Sequence, residues 1–359
     1  MSNYASLHNH TEYSLLDGFS SPRDYLQRCS EIGIKSIAFT EHGNVYSMPY
    51  LEKLKKEFPD IKIIYGVEAY ECFDINIKDK NSKYFHLILL CKNEKARISL
   101  NKIITKSNFE GKYFKPRVDL NMLKEYADDF IVSTACLASK LAREKDFEKC
   151  IEYVNEYKSV FKDFYLEMQS HESEEQAEYN KKILKLSEAT NTKFIITTDS
   201  HASSKEELFY QNKFVQIAKD METASEIYEG CYVQTAEEIH SIMDSQVGFE
   251  NVEIGLKNTL EIDSKIENVV FPFREPTLPH FEYSSKFSSE KEYLKYLINV
   301  GISRREIPRT KEYFDRIRYE FDIITEMNFM YPAPMPLEHS TFPTNSGCFS
   351  SIFVMYLVM

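Results

Sequence analysis

Residues 194–201 read Phe194-Ile195-Ile196-Thr197-Thr198-Asp199-Ser200-His201. The first five are an apolar, β-branched run of strand length. Directly beyond them stand an acid and an imidazole two residues apart, a spacing that puts both on one face of extended chain. The same arrangement recurs upstream. SIAFT at 36–40 is followed by Glu41-His42, IKIIYGV at 61–67 by Glu68, and FIVST at 130–134 is followed closely by Cys136. FHLILLC at 85–91 and FYLEM at 164–168 are further strand-length runs. Helical patterns lie between them at 22–33, with Pro near the start and Gly near the end, at 50–57, and at about 172–189. Strand–helix alternation over the first ~220 residues predicts a mostly parallel sheet. With six or seven such units, a closed barrel and an open doubly wound sheet both satisfy the pattern.

In parallel α/β folds, functional groups gather beyond the carboxyl ends of the strands. Here four separate runs deliver His, Glu, Cys or Asp at that end. Leu7-His8-Asn9-His10 adds a second pair spaced by two, and Asp17 follows seven residues after His10. Singly, each has an ordinary explanation: HxH as surface decoration, Asp17-Gly18 as a turn, Cys136 as a small buried apolar group, Glu68 as a solvated strand-end charge. Jointly they read as a His/carboxylate ligand set for Zn, Mn or Fe.

The chain has 359 residues, 44 Lys+Arg against 56 Asp+Glu, and a formal net charge of −12. That length predicts about two domains. The sign of the charge argues against a general polyanion-coating protein, although a cluster of polyvalent ions would supply positive charge locally. Seven irregularly spaced Cys with no CxxC predict no disulfide framework and a reducing, cytoplasmic setting. The N-terminus lacks a signal-peptide pattern, and the apolar run at 352–359 is too short to span a bilayer. Past residue 220 the pattern changes. Residues 222–255 read as helical, 271–279 (FPFREPTLP) as an extended linker, and 290–300 and 311–328 as amphipathic helices. Residues 331–359 contain one charged residue, Glu338, and four prolines, and lack either periodicity until the terminal apolar run.

The stretch His8-Asn9-His10-Thr11-Glu12-Tyr13-Ser14-Leu15-Leu16-Asp17-Gly18 resembles the opening of the PHP (polymerase and histidinol phosphatase) domain of bacterial DNA polymerase III α subunits. Thr40-Glu41-His42-Gly43-Asn44, Tyr65-Gly66-Val67-Glu68 and Tyr84-Phe85-His86-Leu87-Ile88-Leu89-Leu90 continue the family order. Lys115-Pro116-Arg117-Val118, Ser133-Thr134-Ala135-Cys136-Leu137 and Thr198-Asp199-Ser200-His201 complete it. The resemblance covers about residues 1–330. It implies a distorted (β/α)7 TIM-like PHP barrel at 1–220 with a C-terminal, mainly helical extension at 221–270. A linker and the start of the palm region would follow at 271–330, then a divergent tail at 331–359.

The resemblance also implies a cluster of up to three divalent ions, Zn and/or Mn, held by His8, His10, Asp17, His42, Glu68, His86, Cys136, Asp199 and His201. His86 enters only this way, since it begins its run instead of ending it. Asp17, Glu68 and Asp199 are expected to bridge ions or position water, and Arg117 to clamp a phosphate. His171 lies outside the nine, as a substrate contact or a surface group. Glu41 stands where the family has Asp, and is expected beside the ligands instead of among them. The implied activity is phosphoester hydrolysis, in the polymerase branch a 3′→5′ proofreading exonuclease. The implied partners are a DNA 3′ end and other replicase subunits, with no membrane. The alternatives are a non-catalytic module of the polymerase and a histidinol-phosphatase-like enzyme. The family's palm needs an Asp-x-Asp strand and a Gly/Ser-rich nucleotide loop. Neither occurs here, so no nucleotide incorporation is expected, and the reading predicts a chain that leaves the family at about residue 331, as after a change of reading frame.

Overall fold

Helix α1 (Pro22–Ile32) forms where its sequence dictates. Ser21 and Asp24 make a reciprocal capping box, Pro22 opens the first turn, and Gly33 closes the helix at φ 80°. Its buried face, Tyr25, Leu26 and Cys29, packs into the outer core. In the computed structural model the described residues are 4–79, 84–219, 229–270 and 286–327. The strands are β1 (Ser36–Phe39), β2 (Lys62–Glu71), β3 (Phe85–Cys91), β4 (Arg117–Val118), β5 (Phe130–Ser133), β6 (Phe164–Gln169) and β7 (Phe194–Thr197). The helices after α1 are α2 (Met48–Leu54), α3 (Glu94–Phe109), α4 (Leu120–Lys124), α5 (Lys140–Arg143), α6 (Phe147–Val160), α7 (Glu174–Thr190) and α8 (Lys205–Lys219). Then come α9 (Ala236–Val247), α10 (Phe249–Lys265), α11 (Glu290–Arg304) and α12 (Lys311–Glu326).

The sheet runs β1-β2-β3-β5-β6-β7, with β4 paired to β2 off that path. It is mostly parallel, as expected, with β1–β2, β2–β4, β5–β6 and β6–β7 all parallel; the exception is β3, antiparallel to both β2 and β5. No helix lies between β2 and β3 among the described residues, so this connection lacks the crossover that a parallel return requires. The extended N-terminal segment closes the curl. Ser6 exchanges backbone hydrogen bonds with Ser36 and Ala38 beside β1, while His8 and His10 do so with Ser200 just past β7.

Two apolar layers follow from strand alternation. One face packs on the helices through Ile37, Ile63, Tyr65, Leu89, Val132, Leu166 and Ile196. The other fills the interior with Ala38, Ile64, Ile88, Leu90, Ile131, Tyr165 and Ile195. The predicted helix at 222–255 is not continuous. Residues 220–228 lie outside the described ones, 229–235 are loop, and the rest is α9 and α10 parted at Gly248 (φ 87°). A Thr235–Glu238 capping box restarts the helix. The chain divides into two compact units between Phe271 and Pro272. In the second, α11 and α12 share an apolar cluster of Leu294, Ile298, Ile302, Ile317 and Phe321. The expected linker at 271–279 and the tail at 331–359 lie outside the described residues. No helix among the described residues is long and apolar enough to cross a membrane.

Candidate metal centre

The interior layer ends in polar groups. Residues i, i+2 and i+4 of a strand share a face, so Glu68 continues the face of Ile64 and Gly66. Glu167 continues Tyr165, and Thr197 continues Ile195. On β3 the direction is reversed, so the residue that tops the column Leu90, Ile88 is His86, at the strand's start. The reversal that broke the parallel pattern therefore delivers His86 to the same edge as the carboxyl ends of its neighbours. Chain turns bring the rest. Ala135 (φ 56°) bends the backbone just before Cys136, and Asp199 itself sits at φ 45°, sparsely populated conformations that recur at functional sites.

All nine expected residues meet here. His8 Nε2 lies 3.0 Å from His10 Nε2, 3.3 Å from Glu68 Oε1 and 3.1 Å from Asp199 Oδ1. His10 Nε2 is 3.6 Å from Glu68 Oε2 and 3.4 Å from Asp199 Oδ1. Glu68 Oε2 reaches His42 Nδ1 at 2.6 Å and His86 Nδ1 at 3.0 Å. Cys136 Sγ stands 3.4 Å from His86 Nδ1 and 3.6 Å from Glu68 Oε1. Asp17 Oδ2 joins His42 Nε2 at 2.9 Å and His201 Nε2 at 3.5 Å. Three triplets bring their donor atoms within 4.8 Å of one another: His8, His10 and Glu68; His10, His42 and His201; His42, Glu68 and His86.

Apart from the 2.6 and 2.9 Å contacts of His42, which are hydrogen-bond distances, most of these separations suit ligands of shared ions. Two donors on a tetrahedral or octahedral ion at about 2.1 Å stand about 3.0–3.4 Å apart. His42 Nδ1, Glu68 Oε2 and Asp199 Oδ1 are buried without an aligned hydrogen bond, although the first two are in near contact. Buried polar atoms are rarely left so. The donor set of imidazole, carboxylate and thiol fits divalent ions.

The imidazoles are also oriented. Ser14 Oγ donates to Glu41 at 2.7 Å, so at 3.0 Å it must accept from His10 Nδ1–H. His10 Nε2 is left as a lone pair facing the cluster. Burial and the neighbouring His42 and His201 push His10 down to about 3, so it is neutral. His8 Nδ1 donates to Glu167 at 2.7 Å and His201 Nδ1 to the Asp199 carbonyl at 2.8 Å, again turning Nε2 inward. Such outer partners fix ring orientation and ligand basicity at metal centres. Burial alone would discharge His42, but Glu68 and Asp17 outweigh it and raise it to about 10. Asp17 is held well below the carboxylate range because His201 and His42 outweigh its burial. Burial, Glu68 and Asp199 push the Cys136 thiol well up, and a bound cation would reverse that. The floor is sealed, with the His8, His10 and Glu68 side chains fully buried, while those of Asp17, His42 and His86 retain 19%, 14% and 14% exposure.

Glu41 takes the outer role expected of it, accepting from Thr11 N, Thr11 Oγ1 and Ser14 Oγ. Arg117 does not take the expected one. Its side chain is fully buried, and its guanidinium donates to the carbonyls of Gly111, Ile77 and Ile75, each at 3.0 Å. A phosphate cannot reach it, because the loops it pins enclose it. His171 is neither a surface group nor placed for substrate. It is buried against the Thr198 carbonyl at 3.1 Å and Cys231 Sγ at 3.3 Å. Glu167 was not anticipated. Its signal is a lone acid in the apolar run at 164–168, in phase with inward Tyr165.

The PHP domain family model matches residues 6–171. The DNA polymerase III α subunit of Aquifex aeolicus is 31% identical over 354 residues, covering 91% of this chain and 30% of that protein. That of Borreliella burgdorferi is 30% identical over 342 residues, covering 91% of this chain and 29% of that protein. The chain thus spans under a third of the length of these curated relatives. Among solved structures, a Bifidobacterium adolescentis protein assigned as a metal-dependent phosphoesterase aligns with a TM-score of 0.41 and 11% identity, over 68% of this chain and 97% of that one.

Proposed function

We propose that this chain, whose residues 6–171 match the PHP domain model and which is similar to part of DNA polymerase III α subunits, hydrolyses phosphoesters at its polar cluster, with the 3′-terminal linkage of DNA as substrate. The convergence of nine donor side chains at the spacing of shared-ion ligands supports this most directly. Zn or Mn, up to three ions, suits the imidazole, carboxylate and thiol set. When bound, such ions supply Lewis acidity for a phosphate and a strong nucleophile from water near neutral pH.

The chain's own residues divide the remaining work. His8, His10, Glu68 and Asp199 would hold the innermost ion, Asp17, His42 and His201 one nearer the mouth, and His86, Cys136 and His42 the third. Glu68, which touches His8, His42 and His86, would bridge. Glu167 and the Glu41–Ser14 pair keep the Nδ1 protons of His8 and His10 occupied, so the Nε2 lone pairs stay aimed inward. The sealed floor leaves the Asp17–His42–His86 side as the way in for water and substrate. In the setting of a replicase this would be 3′→5′ proofreading in the cytoplasm, beside other replicase subunits.

Metal analysis of the purified chain, followed by digestion of a 3′-labelled oligonucleotide, tests the reading. Label release that depends on added Mn or Zn is expected. An intact oligonucleotide with release of phosphate from histidinol phosphate would favour a small-molecule phosphatase. Loss of folding in His10→Ala, with no hydrolysis by the parent, would favour a structural module.

A further inference from the structure

The loop that Arg117 pins lies against the mouth of the cluster. Tyr113 and Lys115 exchange backbone hydrogen bonds at 3.1 and 2.8 Å, making a tight turn with Phe114 at its tip. Phe114 sits at φ 59°, a conformation bulky residues seldom adopt. The residue is nonetheless 83% exposed. Burial therefore does not hold it there. The paired Tyr113–Lys115 backbone bonds and the Tyr113 ring, 4.7 Å away, frame it, while the buried guanidinium ties Gly111, Ile77 and Ile75 at the loop's base. A Cβ on Gly111 would stand 2.0 Å from the Arg117 carbonyl oxygen, so the base admits only glycine.

Lys115, next to Phe114, places its ammonium 5.1 Å from the centre of the Tyr70 ring. That ring stacks on His42 at 6.2 Å and meets His86 edge-on at 5.5 Å. It also closes on Gly43, where a Cβ would come within 2.7 Å of it. One aromatic ring thus separates an exposed cation from two residues of the cluster, on its open side. Lys115 forms no ion pair among the described residues. A solvated cation on the open side of a site that would collect further positive charge is placed to draw in an anionic substrate.

We propose that the Tyr113–Arg117 loop is the nucleotide-recognition element of this centre: Lys115 takes the phosphate oxygens that face away from the cluster, and Phe114 stacks on the base of the terminal nucleotide. This rests on the phosphoesterase reading and narrows it, because a base-stacking ring serves a nucleic-acid end and not a small monoester. Stacking on an exposed aromatic accepts any base, as a sequence-independent 3′ trimming activity requires.

The test uses the full chain loaded with Mn, its Lys115→Ala, Lys115→Arg and Phe114→Ala variants, and two readouts. The first is binding of a fluorescent oligodeoxynucleotide by anisotropy. The second is steady-state hydrolysis of that oligonucleotide and of p-nitrophenyl phosphate. Lys115→Ala is expected to weaken binding and raise KM for both substrates by about tenfold, with kcat and metal content unchanged and Lys115→Arg restoring most of the loss. Phe114→Ala is expected to weaken oligonucleotide binding by about tenfold and leave p-nitrophenyl phosphate turnover at the parent rate. The inference is overturned if both Ala variants bind the oligonucleotide as the parent does, or if Phe114→Ala impairs both substrates alike. If the parent hydrolyses neither substrate, the phosphoesterase reading fails, and the anisotropy arm alone decides the loop's role.

Discussion

At the scale of single residues, the proposed centre would depend on groups one step away from the proposed ligands as much as on those ligands themselves. Glu41 touches no expected ligand side chain directly, yet through Ser14 it fixes which nitrogen of His10 carries the proton. Glu41→Gln is expected to weaken divalent-ion affinity by about 10–100-fold with unchanged circular dichroism, measured by titration against a competing chelator. Affinity equal to the parent's would show that Glu41 does not orient His10. Arg117 predicts the opposite kind of result. Arg117→Met strips partners from three carbonyls, and leaving such groups unpaired costs about 1–3 kcal/mol each. A lowered urea midpoint is expected, and any rise in KM should be no larger than that of Lys115→Ala, since Arg117 acts only by holding the loop. A variant with the parent's urea midpoint would contradict the structural role and return Arg117 to substrate contact. Glu41 was legible in the sequence as an acid directly after an apolar run, while Glu167, inside one, was not singled out. Arg117's burial was not, because its partners are backbone carbonyls from three separate places, and no residue type marks a carbonyl as available.

At the scale of elements, most strands and helices follow from apolar runs, caps and glycines. The predicted runs at 36–40, 85–91, 130–134 and 194–198 match β1, β3, β5 and β7 to within a residue. The direction of β3 was the part not legible. Alternating strands and helices imply parallel pairing, and only the helix-free link before β3 breaks that inference. His86 shows the consequence: as a strand-initial residue it belongs at the site only because β3 runs backward. Further along the chain, His240 joins α9 to α10, with Nδ1 and Nε2 each 2.8 Å from Asp244 and Glu253, and its ring 4.7 Å from Phe249. Partial burial lowers its pKa, but the two carboxylates outweigh that and raise it above the usual imidazole value. Because the folded value is the higher one, the stabilisation is complete below the unfolded pKa of about 6.5 and is lost as pH rises through the folded value. The stability difference between the parent and His240→Gln should therefore be larger at about pH 6 than at about pH 9. Solvent exposure limits it to about 0.2–1 kcal/mol. Urea midpoints at the two pH values check this, and a difference that grows toward alkaline pH would contradict it.

At the scale of the whole molecule, all nine cluster residues fall within the first compact unit, and α11–α12 have an apolar cluster of their own. A chain ending at Phe271 is expected to bind as many equivalents of Mn as the 359-residue chain, read by metal analysis after gel filtration. A loss of equivalents would make the second unit part of the centre. The sequence pattern alone left barrel and open sheet undecided. Closure depends on the N-terminal segment bonding to both β1 and the end of β7, and that segment contains only the short apolar stretch Tyr4–Leu7 before its histidines. The segment that closes the curl is thus also the one that carries His8 and His10, so closure and ligand placement are one event. The most direct test of the account is phosphoester turnover measured against equivalents of Mn added to the metal-stripped chain, with Glu68→Gln alongside. The account predicts no turnover without metal, a rise that saturates at two to three equivalents, and none at any loading for Glu68→Gln. A parent chain that binds the metal yet turns over no phosphoester at any loading, or a Glu68→Gln chain as active as the parent, would contradict it.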